Sequence, residues 1–169
     1  MLASLGSDLL EGRQTGLAYD VSNLGAVNFN TTIAGIETAD VILLVATNPR
    51  WEASLVNTRI RKAVLRGAKV FAIGPEIDLT YRAKWLGDDL ALLHDLPKAA
   101  AEALEGAQRP AMIVGAAALK LPGGQAASLA LANSLNLVRD GWNGYNVLHL
   151  AASAIAAGAS IMPPVWQRL

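Results

Sequence analysis

The chain has 169 residues and 17.7 kDa, which is the size of a single domain on the usual scale of roughly 100–200 residues. Its 14 Lys and Arg are balanced by 14 Asp and Glu, so nothing supports recognition of nucleic acid through a broad basic face. Without a cysteine and with two histidines, the chain itself excludes disulfides, iron–sulfur clusters, cysteine-held zinc and multi-histidine metal sites.

Hydrophobic residues make up 53% of the chain and charged residues 17%, well under the roughly 25% charged of an average domain. Such a composition fills a core easily and leaves apolar surface for a partner. The amino-terminal residues lack the charged start and long apolar run of a secretory signal. A short helix is expected over 33–38, while 13–30 carries no clear periodicity. Asp40 then leads into Val41-Ile42-Leu43-Leu44-Val45-Ala46, a continuous apolar run that reads as a strand buried on both faces of a parallel sheet.

Thr47-Asn48-Pro49-Arg50 follows, with Asn as a helix cap and Pro at the first helical position. The spacing of Ala53, Val56, Ile60, Ala63 and Val64 predicts one helix over 49–66 facing the sheet, stopped by Gly67. Lys69-Val70-Phe71-Ala72-Ile73 is the next strand, completing a right-handed βαβ unit. Residues 79–85 read as an irregular or short helical connection, and Asp88 or Asp89 as the cap of a helix reaching about 96. A further helix is expected over 98–105, a third core strand over 111–114, a helix from Gly123-Gly124 to about 135, and a last buried helix over 145–157.

The uncharged stretch 141–167 is long enough to cross a bilayer. It is rich in Ala, carries Asn143, Asn146 and His149, and is broken by Pro163-Pro164, so a buried helix is preferred to a membrane span. The alternation predicts a three-layer α/β/α domain with a mostly parallel sheet over 1–160, followed by a tail over 161–169.

Ligands of open parallel sheets sit beyond the carboxyl ends of the strands. Asn48, the helix start behind it and Arg50 can hold an anion there; the plainer reading is that Asn48 only caps and Arg50 is solvated. No dinucleotide or P-loop glycine pattern is present. Gly123-Gly124 reads as a turn before a phosphate cradle, and His94 and His149 as satisfied helix histidines before general bases. Asp88-Asp89 reads as a cap before a carboxylate pair, and Trp142 and Tyr145 as loop packing before a stacking platform. The basic set Arg59, Arg61, Lys62 and Arg66 is either a solvated face or, through Arg59, Lys62 and Arg66, a docking face for an acidic partner.

Asn30-Thr31-Thr32-Ile33-Ala34-Gly35-Ile36-Glu37-Thr38-Ala39-Asp40, with the strand and the Thr47–Arg50 turn behind it, resembles the large iron–sulfur subunit of proton-pumping NADH:quinone oxidoreductase, respiratory complex I. Weaker matching stretches are 57–62, Gly74-Pro75 with 78–81, Leu86-Gly87-Asp88, 110–116 and 146–149. The resemblance covers most of 8–157, and 31–61 is its specific part. It implies a fragment of the part folded like the molybdopterin oxidoreductases, a three-layer α/β/α Rossmann-like domain, with the iron–sulfur clusters of the full-length subunit lying upstream and no cofactor in this fragment.

In the wider family an Asn-Pro, an Asp-Pro-Arg and a Gly-Thr-Asp help to hold a pterin guanine dinucleotide. Here the first is Asn48-Pro49. The second reads Gly74-Pro75-Glu76 without its aspartate and arginine, and the third reads Gly87-Asp88-Asp89 without its threonine. The resemblance therefore implies a vestigial pocket at Thr47, Asn48, Pro49, Arg50, Gly74, Pro75 and Asp88, with no catalytic residue and no metal. It also implies a non-catalytic structural role beside other complex I subunits. The location implied is peripheral, on the cytoplasmic side of the bacterial inner membrane or the mitochondrial matrix side, with no direct membrane insertion and no nucleic acid. The alternatives are the cofactor-binding domain of an active molybdopterin-dependent oxidoreductase, or a generic ligand-binding domain like the middle domain of thiamine-diphosphate enzymes, which leaves 31–61 unexplained.

Overall fold

The computed structural model describes residues 20 and 23–150. Its elements, besides short 3-10 turns at Leu24–Ala26, Gly35–Thr38 and Leu90–Leu93, are β1 (Val41–Val45), α1 (Pro49–Glu52), α2 (Ser54–Leu65), β2 (Lys69–Ile73), β3 (Lys84–Gly87), α3 (Lys98–Glu105), β4 (Pro110–Gly115), α4 (Ala116–Leu119), α5 (Gly124–Ser134), β5 (Val138–Arg139), β6 (Trp142–Asn143) and β7 (Tyr145–Leu148). Five strands form one sheet in the order β3-β2-β1-β4-β7, every neighbouring pair parallel. The α/β architecture with a parallel sheet is therefore as expected.

Side chains of a strand alternate between faces, so a strand covered on both sides needs an unbroken apolar run. β1 and β4 meet that demand: all five residues of β1 and all six of β4 are buried. Val41, Leu43, Val45, Met112 and Val114 pack with Leu104 of α3 and Leu131 of α5 on one face. Ile42, Leu44, Ala111 and Ile113 pack with Val56, Ile60 and Ala63 of α2, and with Ile36, on the other. Each fully buried aliphatic side chain contributes roughly 1.5–3 kcal/mol, so this double-sided core dominates the stability.

Three expectations change. The single helix over 49–66 is two helices, because Ala53 leaves the helical region at φ −153, ψ 74. Alanine carries no local breaking signal; the first turn is instead anchored by buried Pro49 and by Glu52, which accepts from Thr47. Gly67, at φ +102, ends α2 as expected.

The connection over 79–85 ends in the edge strand β3, only four residues long, whose identity comes from pairing with β2. The expected helix over 145–157 begins as strand β7, because Tyr145, Asn146, Val147 and Leu148 pair with β4. The remainder of that expectation, the proposed tail at 161–169 and most of 1–30 lie outside the described residues. No helix among the described residues is long and apolar enough to cross a membrane.

Asn146 explains how β7 is held. Its side chain is fully buried; Oδ1 accepts from Thr31 N–H and Thr31 Oγ1 at 2.9 Å each, and Nδ2 donates to the carbonyls of Gly144 and Met112. Outside β7, Phe29 forms a single antiparallel bridge with Asn146, and Asn30 Nδ2 donates to Tyr145 O. Asn146→Leu keeps the volume but strands the Thr31 donors and two carbonyls. It is expected to lower unfolding free energy by about 2 kcal/mol or more in urea denaturation, against less than about 1 kcal/mol for the exposed Asn133→Leu.

Candidate functional site

Where β1 runs out, Ala46 takes φ +46, a left-handed conformation unusual for a residue with a side chain. The turn is held by Ala46 N–H donating to Ile73 O at 2.8 Å, and it carries the backbone across the neighbouring strand end. A Cβ on Gly115 would lie 2.3 Å from Ala46 O and 2.7 Å from Thr47 Cβ. Gly74 stands on the other side at φ +133, where its Cβ would lie 3.5 Å from Ala46 Cα. In a 3-2-1-4 strand order the ligand crevice opens between the first and fourth strands. Here Ala46 and Thr47 lie so close to Gly115 that no side chain fits there.

The sequence-predicted residues do gather on the carboxyl edge of the sheet. Thr47, Asn48, Pro49 and Arg50 form one turn after β1. Gly74 and Pro75 follow β2, and Asp88 follows β3, the last two strand ends being tied by Gly74 N–H donating to Gly87 O at 2.8 Å. Their chemistry is largely spent within the protein. Thr47 Oγ1 donates to Glu52 Oε2 at 2.6 Å. Arg50 Nη1 bonds Asp78 Oδ2 at 2.6 Å and Asp78 O at 3.0 Å, so it is paired where solvation or an anion was expected. Asp78 also accepts Thr80 N–H; that bond first and Arg50 second hold its carboxyl below the usual range.

Asn48 occupies the helix-cap position, yet its side chain caps nothing: Trp51 and Glu52 N–H both bond its backbone carbonyl. Its Oδ1 is buried without a hydrogen-bond partner. Pro49 is buried, whereas Pro75 and Asp88 are exposed.

A pterin guanine dinucleotide brings a diphosphate, which needs donors and positive charge. The turn offers an arginine neutralised by Asp78, a hydroxyl committed to Glu52, a nearby carboxylate and an orphan acceptor on Asn48. The residues present do not fit that group. Beside this turn, a cavity of about 520 Å3 lies between the α1–α2 junction and the end of β7, walled mainly by Trp51, Leu55, Phe29 and Leu148. No group of three His, Asp or Glu able to hold a metal occurs among the described residues.

The remaining candidates are structural. Asp89 Oδ1 accepts Ala91 N–H and caps the 3-10 turn Leu90–Leu93, shorter than the helix expected to 96. His94 is exposed after that turn, and His149 Nε2 lies 2.6 Å from Val27 O beyond β7; neither is within a helix. Gly123, at φ +78, makes the turn, and a Cβ on Gly124 would lie 2.1 Å from Ala118 O. Tyr145 OH bonds Ser128 in the core, and Trp142 Nε1 donates to Pro110 O, which agrees with the packing reading.

On α2, the three cations of the expected docking face converge on one carboxylate. Arg59 Nη1 and Arg66 Nη2 bond Glu37, and Lys62 Nζ lies at 3.9 Å. The Arg59 hydrogen bond is the main reason the Glu37 carboxyl sits below its ordinary value, with Lys62 and Arg66 adding to it against some burial.

Glu37 and Glu52 were missed by sequence reasoning, whereas Asp78 and Gly115 were placed at the strand ends where ligands sit but given no role of their own. Asp78, two residues before Thr80, carried an Asx-turn signal; the others are joined to their partners only by the fold.

A profile of the molybdopterin oxidoreductase family matches residues 1–165. The chain is 37% identical over 164 residues to a mitochondrial NADH dehydrogenase [ubiquinone] iron-sulfur protein 1 of Solanum tuberosum, covering 93% of this chain and 22% of the relative. It is 38% identical to the mitochondrial NADH-ubiquinone oxidoreductase 78 kDa subunit of Neurospora crassa, over 91% of this chain and 22% of that one. It is 37% identical to an NADH-quinone oxidoreductase subunit of Rickettsia prowazekii, over 92% and 24%. The chain thus spans less than a quarter of the length of these relatives.

Two outcomes follow from the geometry. Gly115→Ala forces Cβ into the Ala46 carbonyl and is expected to cost about 2–3 kcal/mol in chemical denaturation, against less than about 0.5 kcal/mol for the exposed Ala117→Ser. The Glu37 carboxyl is lowered on folding, so its contribution is complete above its ordinary value near 4.5 and disappears as pH falls through the lowered value. In Tm measurements from about pH 6 to pH 3, Glu37→Gln is therefore expected to lower the plateau and flatten the acid limb.

Proposed function

The chain belongs to the molybdopterin oxidoreductase family, and we propose that it is a non-catalytic architectural domain of the large iron–sulfur subunit of a proton-pumping NADH:quinone oxidoreductase. On this reading it supports the electron-transferring part of the peripheral arm and packs against other subunits of respiratory complex I. Its place is the cytoplasmic face of a bacterial inner membrane, or the matrix face in a mitochondrion. Iron–sulfur clusters belong to other residues of such a subunit, since this chain has no cysteine.

The observation that carries the reading is the close approach of Ala46 and Thr47 to Gly115, at the strand end where a ligand would sit. An active cofactor domain needs that crevice open and Arg50 available; here Arg50 is bound to Asp78. The names of the relatives, at 37–38% identity over more than nine-tenths of the chain, supply the assembly.

Thermal unfolding of the purified chain with GDP tests the absence of a nucleotide site. A ligand at a hundredfold excess over Kd would raise Tm by about 5–11 °C; the expected shift is none, and a saturable rise would sink the reading. In a full-length subunit expressed with its complex, Gly115→Ala is expected to reduce the amount of assembled enzyme while leaving NADH turnover per assembled complex unchanged. Loss of turnover at full assembly would contradict a purely architectural role.

A further inference from the structure

The neutral chain is electrically polarised along its length: residues 59–84 hold seven of the 14 Lys and Arg but only two of the 14 Asp and Glu. Those two acids, Glu76 and Asp78, lie on the loop after β2, beyond its carboxyl end. At the amino end the geometry is different. β3 begins pairing at Phe71 opposite Lys84, so the outer edge of Lys69 and Val70 has no strand beside it. The missing length leaves a groove of about 360 Å3, floored by Val64, Val70 and Phe71 and rimmed by Lys69, Arg82 and Lys84.

We propose that this groove docks an acidic, amphipathic peptide segment of a neighbouring polypeptide. The three rim cations are exposed and, among the described residues, have neither an ion pair nor a side-chain hydrogen bond. Their neighbours on α2 are different, since Arg59, Lys62 and Arg66 already share Glu37. Asp40, at the start of the neighbouring strand, accepts Lys69 N–H through its backbone carbonyl and spends its carboxylate on the Gln108 and Arg109 amides. Positive charge around an apolar floor matches a segment that carries carboxylates beside aliphatic side chains. A nucleic-acid backbone offers nothing to the apolar floor, and a bilayer surface does not enter a concave groove. The inference rests on this groove alone and is independent of which assembly the chain serves.

The test titrates the 169-residue chain with a fluorescein-labelled peptide of alternating glutamate and valine, read by polarisation. Saturable binding is expected, weakened about tenfold by R82E/K84E and abolished at high salt. K98E/K120E makes the same charge change away from the groove and is expected to alter affinity less than about twofold. Oligoglutamate of equal length is expected to bind several-fold more weakly, because it cannot fill the floor. R82Q/K84Q gives the same reading should the charge reversal fail to fold. The proposal is overturned by absence of saturable binding, by equal losses in the groove and control variants, or by oligoglutamate binding as tightly as the mixed peptide. Tighter, groove-dependent binding of phosphatidylglycerol vesicles or polyuridylate would overturn it too.

Discussion

The passage of the backbone at Ala46 and Thr47 over Gly115 constrains the whole carboxyl end of the sheet. β1 is the central strand, with β2 on one side and β4 on the other, and its exit decides whether the sheet opens into a crevice or closes. Ala46 adopts a left-handed conformation there, and Gly115 and Gly74, lacking side chains, let it lie close to both. Glycine at a strand end often admits a ligand's phosphate; here it admits the protein's own main chain. Once the turn is fixed, Thr47 faces Glu52 and Arg50 reaches Asp78. The groups a nucleotide would need are then consumed in holding the loops to each other. Asn48 Oδ1, buried without a partner, is the exception, and an unmade hydrogen bond of this kind costs about 1–3 kcal/mol.

The electrostatics follow a similar division between charge that is spent and charge that is kept. Glu37 gathers three α2 cations at one point and ties the 3-10 turn Gly35–Thr38 to that helix. Two long-range amide contacts to Asp40 fix the amino end of β1 beside the turn that enters β4. Exposed pairs contribute little individually, so their value is in positioning rather than in stability.

Much of the fold was legible in the chain. The runs 41–45, 70–73 and 111–114 had to be buried on both faces, because an unbroken apolar strand has no polar side to give to water. Pro49, Gly67 and Asp89 marked boundaries through local backbone chemistry, and the structure keeps all three. What was not legible depended on partners distant in sequence. β3 and β7 are four residues each and become strands only by lying beside β2 and β4. The break at Ala53 contradicts local propensity and is imposed by contacts on either side. In the candidate site, Thr47, Asn48, Pro49, Arg50 and Gly74 were located correctly as strand-end residues. The roles of Glu52, Asp78 and Gly115, which determine what those residues can still do, were visible only after folding.

The single antiparallel bridge from Phe29 to Asn146 has a further effect. With Val147 N–H donating to Asn28 O, it places a strap along the β7 margin, so among the described residues the opposite margin at β3 is the one left for main-chain pairing. A second copy pairing there about a two-fold axis at Lys84 would set the two Lys84 side chains against each other. Sheet-to-sheet polymerisation is thereby discouraged by like charge at the same place where a foreign, negatively charged segment is welcomed.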